Sequence, residues 1–178
     1  MYKFKVIFVS GVHGVGKGYL CSEINKRINL PIFSASSLIK DIKRGEIDTN
    51  KNVLDADSNQ DHLITALKHL QTDSKYILLD GHFCLFDGEN IINISIDIFE
   101  SIPIEVIIEL TDTPEKIYSR LHNRDGNSLD ISVIENFQNE EKARSEIISQ
   151  HLSVPYYSCA FGEYEDVVAW LSSQLSLG

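Results

Sequence analysis

The stretch Gly11-Val12-His13-Gly14-Val15-Gly16-Lys17-Gly18 constrains this chain more than any other. It follows directly on Lys5 to Ser10, KVIFVS, a compact β-branched and aromatic run of the kind buried on both faces of a sheet. It leads into residues 17–29, where Leu20, Ile24 and Ile28 recur every fourth position as a helical stripe. An apolar strand, a glycine-rich loop and a helix therefore surround the pattern GxxxxGK, which is met at all three fixed positions. With 10 glycines in 178 residues, composition alone yields the pattern roughly 0.03 times per chain. Glycines let successive N–H groups point inward at phosphate oxygens, and the helix adds its positive N-terminal end. Lys17 is expected to neutralise phosphate charge and to face solvent when no nucleotide is present. The plainer alternative is a strand-to-helix turn with a lysine on its surface.

Charge and composition narrow the partners. Lys+Arg 16 against Asp+Glu 26 gives a net charge of −10, which repels phosphate backbones and argues against a general nucleic-acid binder. Phosphate would be held at one small local site. A hydrophobic fraction of 43% suffices for an ordinary core, and the length predicts a single domain over residues 1–178. Cys21, Cys84 and Cys159 are far apart and form no CxxC pair, so zinc and disulfide frameworks are poor readings and a reducing setting fits. No run approaches the ~18–20 apolar residues of a membrane span, and the N-terminal apolar run is too short for a signal-peptide core. The expectation is a cytoplasmic protein that engages neither membrane nor nucleic acid.

Short apolar runs alternate with amphipathic ones along the whole chain. Strands are expected at 5–10, in the run IFSA after Pro31, at 75–80, at 104–110 and at 154–159. The segment 91–101 reads as a short strand running into a helical turn. Helices are expected at 17–29, at SLIKDIKRG with a stop at Gly45, around Leu63 to Leu70, from Pro114 to about Arg124, at 130–151 and at 163–175. Pro114 suits a first helical position, where its missing N–H costs nothing. Such alternation means an α/β fold with a mainly parallel sheet and helices on both faces. Ligands then sit at the carboxyl ends of strands, here just after Ser10, Ala35, Asp80, Leu110 and Cys159.

Lys75 to Asp80, KYILLD, is an apolar strand ending in an acid. A carboxylate placed there can hold Mg²⁺, directly or through water, or accept a proton from an acceptor group; otherwise Asp80 is a strand-end turn residue. Arg120 and Arg124, two of only five arginines, stand at i and i+4 and share a helix face. Phosphoryl transfer needs such cations because charge builds on the equatorial oxygens in transit. A solvated helix face is the alternative.

The loop continues Lys17-Gly18-Tyr19, with Gly18 where many such loops place a Ser or Thr hydroxyl on magnesium. GKG resembles adenylate kinases and guanylate kinases, which usually carry Thr next, where this chain has Tyr19. The sequence is similar in order over most of its length to nucleoside monophosphate kinases of the adenylate-kinase-like group. That resemblance implies a P-loop three-layer sandwich with a mainly parallel sheet, a short lid at 120–129 and an acceptor flap at 46–62. It implies ATP on Gly11, Val12, His13, Gly14, Val15, Gly16, Lys17, Gly18 and Tyr19, with Mg²⁺ near Asp80, and catalytic roles for Lys17, Asp80, Arg120 and Arg124. Asp80-Gly81 resembles the DG pair of adenylate kinases, but the arginine three residues after that glycine is absent, Cys84 standing there. His82 either substitutes in part or hydrogen-bonds a backbone carbonyl. On the acceptor side the resemblance points to Ser36, Ser37 and Lys40, Lys40 standing closest to the family's phosphate-binding arginine. Capping their helix is the job first expected of at least one of the two serines.

Three features are decoys. Asp55 to Asp61 imitates an EF-hand start, but Gln60 stands where glycine is needed and Ala66 where the closing glutamate belongs. His62 and His69 read as surface residues, and Trp170 as core or interface with Val167 and Leu171. The first expectation is an ATP-dependent kinase for a small molecule, foremost a nucleoside monophosphate. The alternatives are a kinase for a nucleoside or other metabolite, and a nucleotide-binding regulator whose ATP-bound lid recruits a protein partner.

Overall fold

The computed structural model describes residues 2–47, 56–126 and 129–175. Five parallel strands form the central sheet: β1 (Lys5–Ser10), β2 (Ile32–Ser34), β3 (Tyr76–Asp80), β6 (Ile104–Thr111) and β7 (Tyr156–Ala160). Their spatial order is β2-β3-β1-β6-β7, so β1 lies at the centre, between β3 and β6. Its side chains divide by the period of two. Ile7 and Val9 enter one apolar cluster with Leu20, Ile24, Ile117 and Leu171, while Val6 and Phe8 enter a second with Leu63, Leu67 and Ile148. Two cores on opposite faces of one sheet make the three-layer α/β arrangement that strand–helix alternation implies.

The helices are α1 (Lys17–Ile28), α2 (Ala35–Ile47), α3 (Ala56–His69), α4 (Ile96–Glu100), α5 (Pro114–Asp125), α6 (Ile131–Leu152) and α7 (Tyr164–Gln174). Pro114 opens α5 as its pattern predicts. Among the described residues, none of these helices is long and apolar enough to cross a membrane. Trp170 is partly buried and packs on Tyr157 with ring centroids 4.9 Å apart.

Two expectations need correction, and the segments expected as flap and lid are located in part. The helix begun by Ala35 does not stop at Gly45 but runs to Ile47; a glycine inside a helix costs about 1 kcal/mol relative to alanine and does not by itself end it. Ser36 and Ser37 therefore lie inside the first turn of α2 and are not its cap; the Ser36 hydroxyl pairs with that of Ser34 at 3.0 Å. Of the flap expected at 46–62, residues 46–47 end α2 and 56–62 are the first turns of α3, while 48–55 lie outside the described residues. Of the lid expected at 120–129, residues 120–125 continue α5 to a left-handed cap at Gly126, and 127–128 lie outside the described residues.

A small antiparallel ribbon, β4 (Cys84–Phe86) with β5 (Ile91–Asn93), hangs off the end of β3. Only its second strand was expected from the alternation at Ile92 and Ile94. Asp87 Oδ1 closes its turn by accepting from the N–H groups of Glu89 and Asn90 at 2.8 and 2.7 Å.

Glu109 stands in β6, fully buried, and accepts a hydrogen bond from Ser158 Oγ at 2.7 Å. Burial pushes its carboxyl up to about 7, against the pull of Ser158 and Lys142. The folded state thus holds this proton more tightly than the unfolded chain. Glu109 accordingly favours folding at low pH, and its contribution is lost as pH rises from about 4.5 through about 7, by an amount on the order of 3 kcal/mol. Glu109→Gln should remove that loss. Urea midpoints from pH 5 to 8 should show the variant gaining on the wild type as pH rises; parallel curves would show that Glu109 does not titrate there.

Candidate functional site

The loop after β1 is anchored by its apolar members and bent by its glycines. Val12 and Val15 are buried in the core, so in the set expected to bind ATP they contribute backbone and not side chain. Gly16 precedes α1 with φ +109, and a Cβ there would meet the Phe161 ring at 2.5 Å. Both facts demand glycine. Gly16 caps α1 without a side-chain hydrogen bond, and the first turn carries no acid. First-turn N–H groups and the positive helix end therefore face the loop cavity, the arrangement that receives phosphate.

Lys17 is buried, contrary to the expectation of a solvent-facing side chain. Its Nζ donates to Gly11 O at 2.8 Å and Val12 O at 3.3 Å, and lies 3.6 Å from Asp80 Oδ1. The loop wraps its own carbonyls round the ammonium, which no sequence pattern reveals. Burial pushes the ammonium pKa down, and the carboxylates of Asp80 and Glu141 oppose that. Asp80 sits at the end of β3 in register with Val9, so sheet pairing alone sets it beside the loop. Burial raises its carboxyl pKa, against the pull of Lys17 and His13.

His82 stands two residues further on, with Nε2 3.4 Å from Lys17 Nζ and its ring 4.7 Å from that of His13. Burial, then the Lys17 ammonium, hold its imidazole pKa well below the ordinary value. It is a neutral imidazole at physiological pH.

One cleft is lined by His13, Gly14, Gly16, Lys17, Gly18, Asp80, Arg120 and Arg124. The two arginines do different things there. Arg120 donates to Gly14 O at 3.2 Å and Val15 O at 3.1 Å, pairs with Asp112, and lies over the Phe161 ring at 4.2 Å. When a loop turns its N–H groups inward its carbonyls point out, and Arg120 satisfies two of these. Arg124, one turn later, also reaches the cleft lining.

His13 and His82 also line a neighbouring cavity of about 160 Å³, closed by Val12, Cys84, Leu85, Phe86, Leu121, Leu129, Ile134 and Phe137. Ser36, Ser37 and Lys40 line neither space; all three are exposed on α2 beyond the end of β2. Tyr19 is exposed and leans on Phe161 and Tyr164, with ring centroids 6.0 and 5.4 Å away. Among the described residues no three His, Cys, Asp or Glu side chains gather as a metal site. Phe161 and Glu141 were not singled out from sequence, although Phe161 follows a strand end at which ligands were expected.

A family model described as an AAA domain matches residues 10–138. The chain belongs to the AAA domain family. That match begins at the last residue of β1 and takes in the phosphate loop, Asp80 and both arginines. No protein of curated function matches this AAA domain by sequence. Among solved structures it is similar to a shikimate kinase from Bacteroides thetaiotaomicron, at 16% identity and TM-score 0.57 over 97% of this chain and 98% of that one. It is similar to a sugar kinase from Janibacter sp. HTCC2649, at 15% identity and TM-score 0.55 over 97% and 95%. A gluconokinase from Sinorhizobium meliloti 1021 matches at 14% identity and TM-score 0.53 over 98% and 93%. These likenesses establish a P-loop kinase-like fold with a mainly parallel five-stranded sheet.

Proposed function

We propose that this AAA domain transfers the γ-phosphoryl group of ATP to a small acceptor bearing a flat ring, foremost a nucleoside monophosphate. One observation carries the reading: the cleft holding Lys17, Asp80 and Arg124 adjoins, through His13, an apolar cavity walled by Phe86 and Phe137. A polyol acceptor would need several polar groups in that wall, whereas a nucleobase suits apolar and aromatic surfaces. The kinase names of the structural neighbours support transfer and leave the acceptor to this chain's own residues.

In this reading the loop N–H groups hold the β-phosphate, and Lys17 exchanges its contacts with Gly11 and Val12 carbonyls for phosphate oxygens. Arg124 meets the charge that spreads over the moving phosphoryl group. The neutral His82 imidazole accepts from Lys17 at Nε2 and walls the acceptor cavity without adding to the repulsion of cations around Lys17. Asp80 fits Mg²⁺: its side chain keeps 25% exposure toward the cleft. Beside it, Gly18 leaves open space, with nothing within 4 Å of an added Cβ. A cation that keeps its waters and binds through a single carboxylate and nucleotide phosphates needs no more protein ligands than this. Bound there, Mg²⁺ would neutralise charge between the β- and γ-phosphates.

The test is ADP release across AMP, GMP, CMP, UMP, their nucleosides, gluconate and shikimate. At least one nucleoside monophosphate should raise release by about tenfold or more over ATP alone. Stimulation by gluconate or shikimate and by no nucleotide would overturn the ring-bearing acceptor. A flat panel would overturn transfer itself and leave the partner-recruiting regulator.

A further inference from the structure

Glu141 lies in the middle of α6 and is completely buried, yet its carboxylate serves no other charged side chain by hydrogen bond. It accepts three backbone N–H groups from two loops far away in sequence. Oε1 takes Gly11 N at 3.3 Å and Phe83 N at 2.9 Å, and Oε2 takes Cys84 N at 2.7 Å. Gly11 opens the phosphate loop; Phe83 and Cys84 follow Asp80 and His82. We infer that Glu141 is a positioning residue that locks the phosphate loop to the acceptor-side loop, so that nucleotide binding orders His82 and its neighbours.

The geometry makes the lock specific. Gly11 is gripped from both sides, its N–H by Glu141 and its carbonyl by Lys17 Nζ at 2.8 Å. It has φ +142, and a Cβ there would lie 2.7 Å from Leu110 O, so its peptide has little freedom to swing. When Lys17 turns from Gly11 O to a phosphate, Glu141 still holds Gly11 through the N–H of its preceding peptide unit. The same oxygen holds Phe83, and any shift of one loop is felt by the other. The 3.4 Å approach of His82 Nε2 to Lys17 Nζ depends on this shared anchor. A carboxylate is required, because all three partners are donors. Glutamine would turn an NH₂ group against at least one N–H and leave it without an acceptor. Ser145, one turn later, donates to the Glu141 main-chain carbonyl at 2.9 Å and pairs with Ser10 Oγ at 3.1 Å, pinning the same helix to the sheet without a bond to the three N–H groups that the Glu141 carboxylate holds.

The inference rests on nucleotide binding at the loop, and its test separates the two. Hydrogen exchange at the Phe83 and Cys84 amides is measured with and without a non-hydrolysable ATP analogue and Mg²⁺. The comparison takes in the wild type, Glu141→Gln, Glu141→Asp and Ser145→Ala, with analogue affinity followed by calorimetry. In the wild type the analogue should slow exchange at both amides by about tenfold or more. In Glu141→Gln the analogue should still bind and the slowing should vanish. Glu141→Asp keeps the charge but falls about 1.5 Å short. It gives up the longest contact, to Gly11, and should lose most of the slowing, which covers the case in which the glutamine variant does not fold. Ser145→Ala should keep the full slowing even if it melts earlier. Full slowing in either Glu141 variant, or equal loss in Ser145→Ala, overturns the coupling. A wild type that does not bind the analogue overturns the nucleotide reading instead, and the coupling with it.

Discussion

Lys17→Ala should lower phosphoryl transfer by about 10³ and weaken ATP binding by roughly 10- to 100-fold. The larger effect on rate follows from where charge develops. In the ground state Lys17 shares the phosphates with the loop N–H groups and the end of α1, whereas in transit it faces charge moving onto the β–γ bridge. The structure adds a consequence that a solvent-facing lysine would not have. Its ammonium is buried against Gly11 O, Val12 O and Asp80. Alanine leaves two carbonyls without their donor and a half-shielded carboxylate without its cation. The Asp80 carboxyl, already raised by burial, should rise further and take up a proton nearer neutrality. Lys17→Arg keeps the charge but cannot fit a planar fork into a cage built for a compact ammonium, and should not restore turnover. Single-turnover rates, nucleotide affinity and the pH profile of Mg²⁺ dependence check these outcomes. A Lys17→Ala variant with wild-type ATP affinity and rate would overturn the phosphate-loop assignment.

Features that rest on local pattern were legible in the sequence. The runs at 5–10, 75–80 and 104–110 are strongly apolar, and each became a sheet strand within a residue or so of its reading. The phosphate loop declares itself because its glycines sit at fixed offsets between a strand and a helix. Residues whose role depends on distant backbone were not legible. Glu141 lies in ENFQNEEKARSE, which reads as an ordinary charged helix, yet its partners are 57 to 130 positions away. Glu109 ends an apolar strand in IEVIIEL, where the period of two points it inward, but only the sheet order shows Ser158 beside it. The Cys84–Phe86 strand is three residues long, too short for alternation to mark. Lys40 was singled out by its position in a family pattern; α2 leaves it exposed and outside the lining of both cavities.

Arg124→Ala should cut turnover by at least ~10² while ATP affinity changes by no more than about threefold, and Arg120→Ala should do something different. Cations that meet the moving phosphoryl group contribute about 10³–10⁵ in rate where they have been measured. Arg124 can act this way because it lines the same cleft as Lys17 and Asp80. Arg120 is committed to the loop itself through Gly14 O, Val15 O, Asp112 and the face of Phe161. Removing it leaves two outward carbonyls without their donor and a well-shielded Asp112 with only Lys116 as a cation, so the loop loses its set before any nucleotide arrives. Arg120→Ala should therefore lower ATP affinity and thermal midpoint together, and turnover in proportion to affinity. Arg120→Lys should not rescue it, since one ammonium cannot hold the two carbonyls and Asp112 from separate nitrogens while lying flat on an aromatic ring. Nucleotide affinity by calorimetry, beside turnover at saturating ATP, separates the two cases. Parallel losses of affinity and rate in Arg124→Ala would make it a ground-state contact, and transfer would then rest on Lys17 alone. In the proposed reaction the i,i+4 spacing that puts both arginines on one helix face would give them neighbouring but unequal tasks: both line the cleft, with Arg120 donating to the loop's carbonyls and Arg124 one turn further along α5.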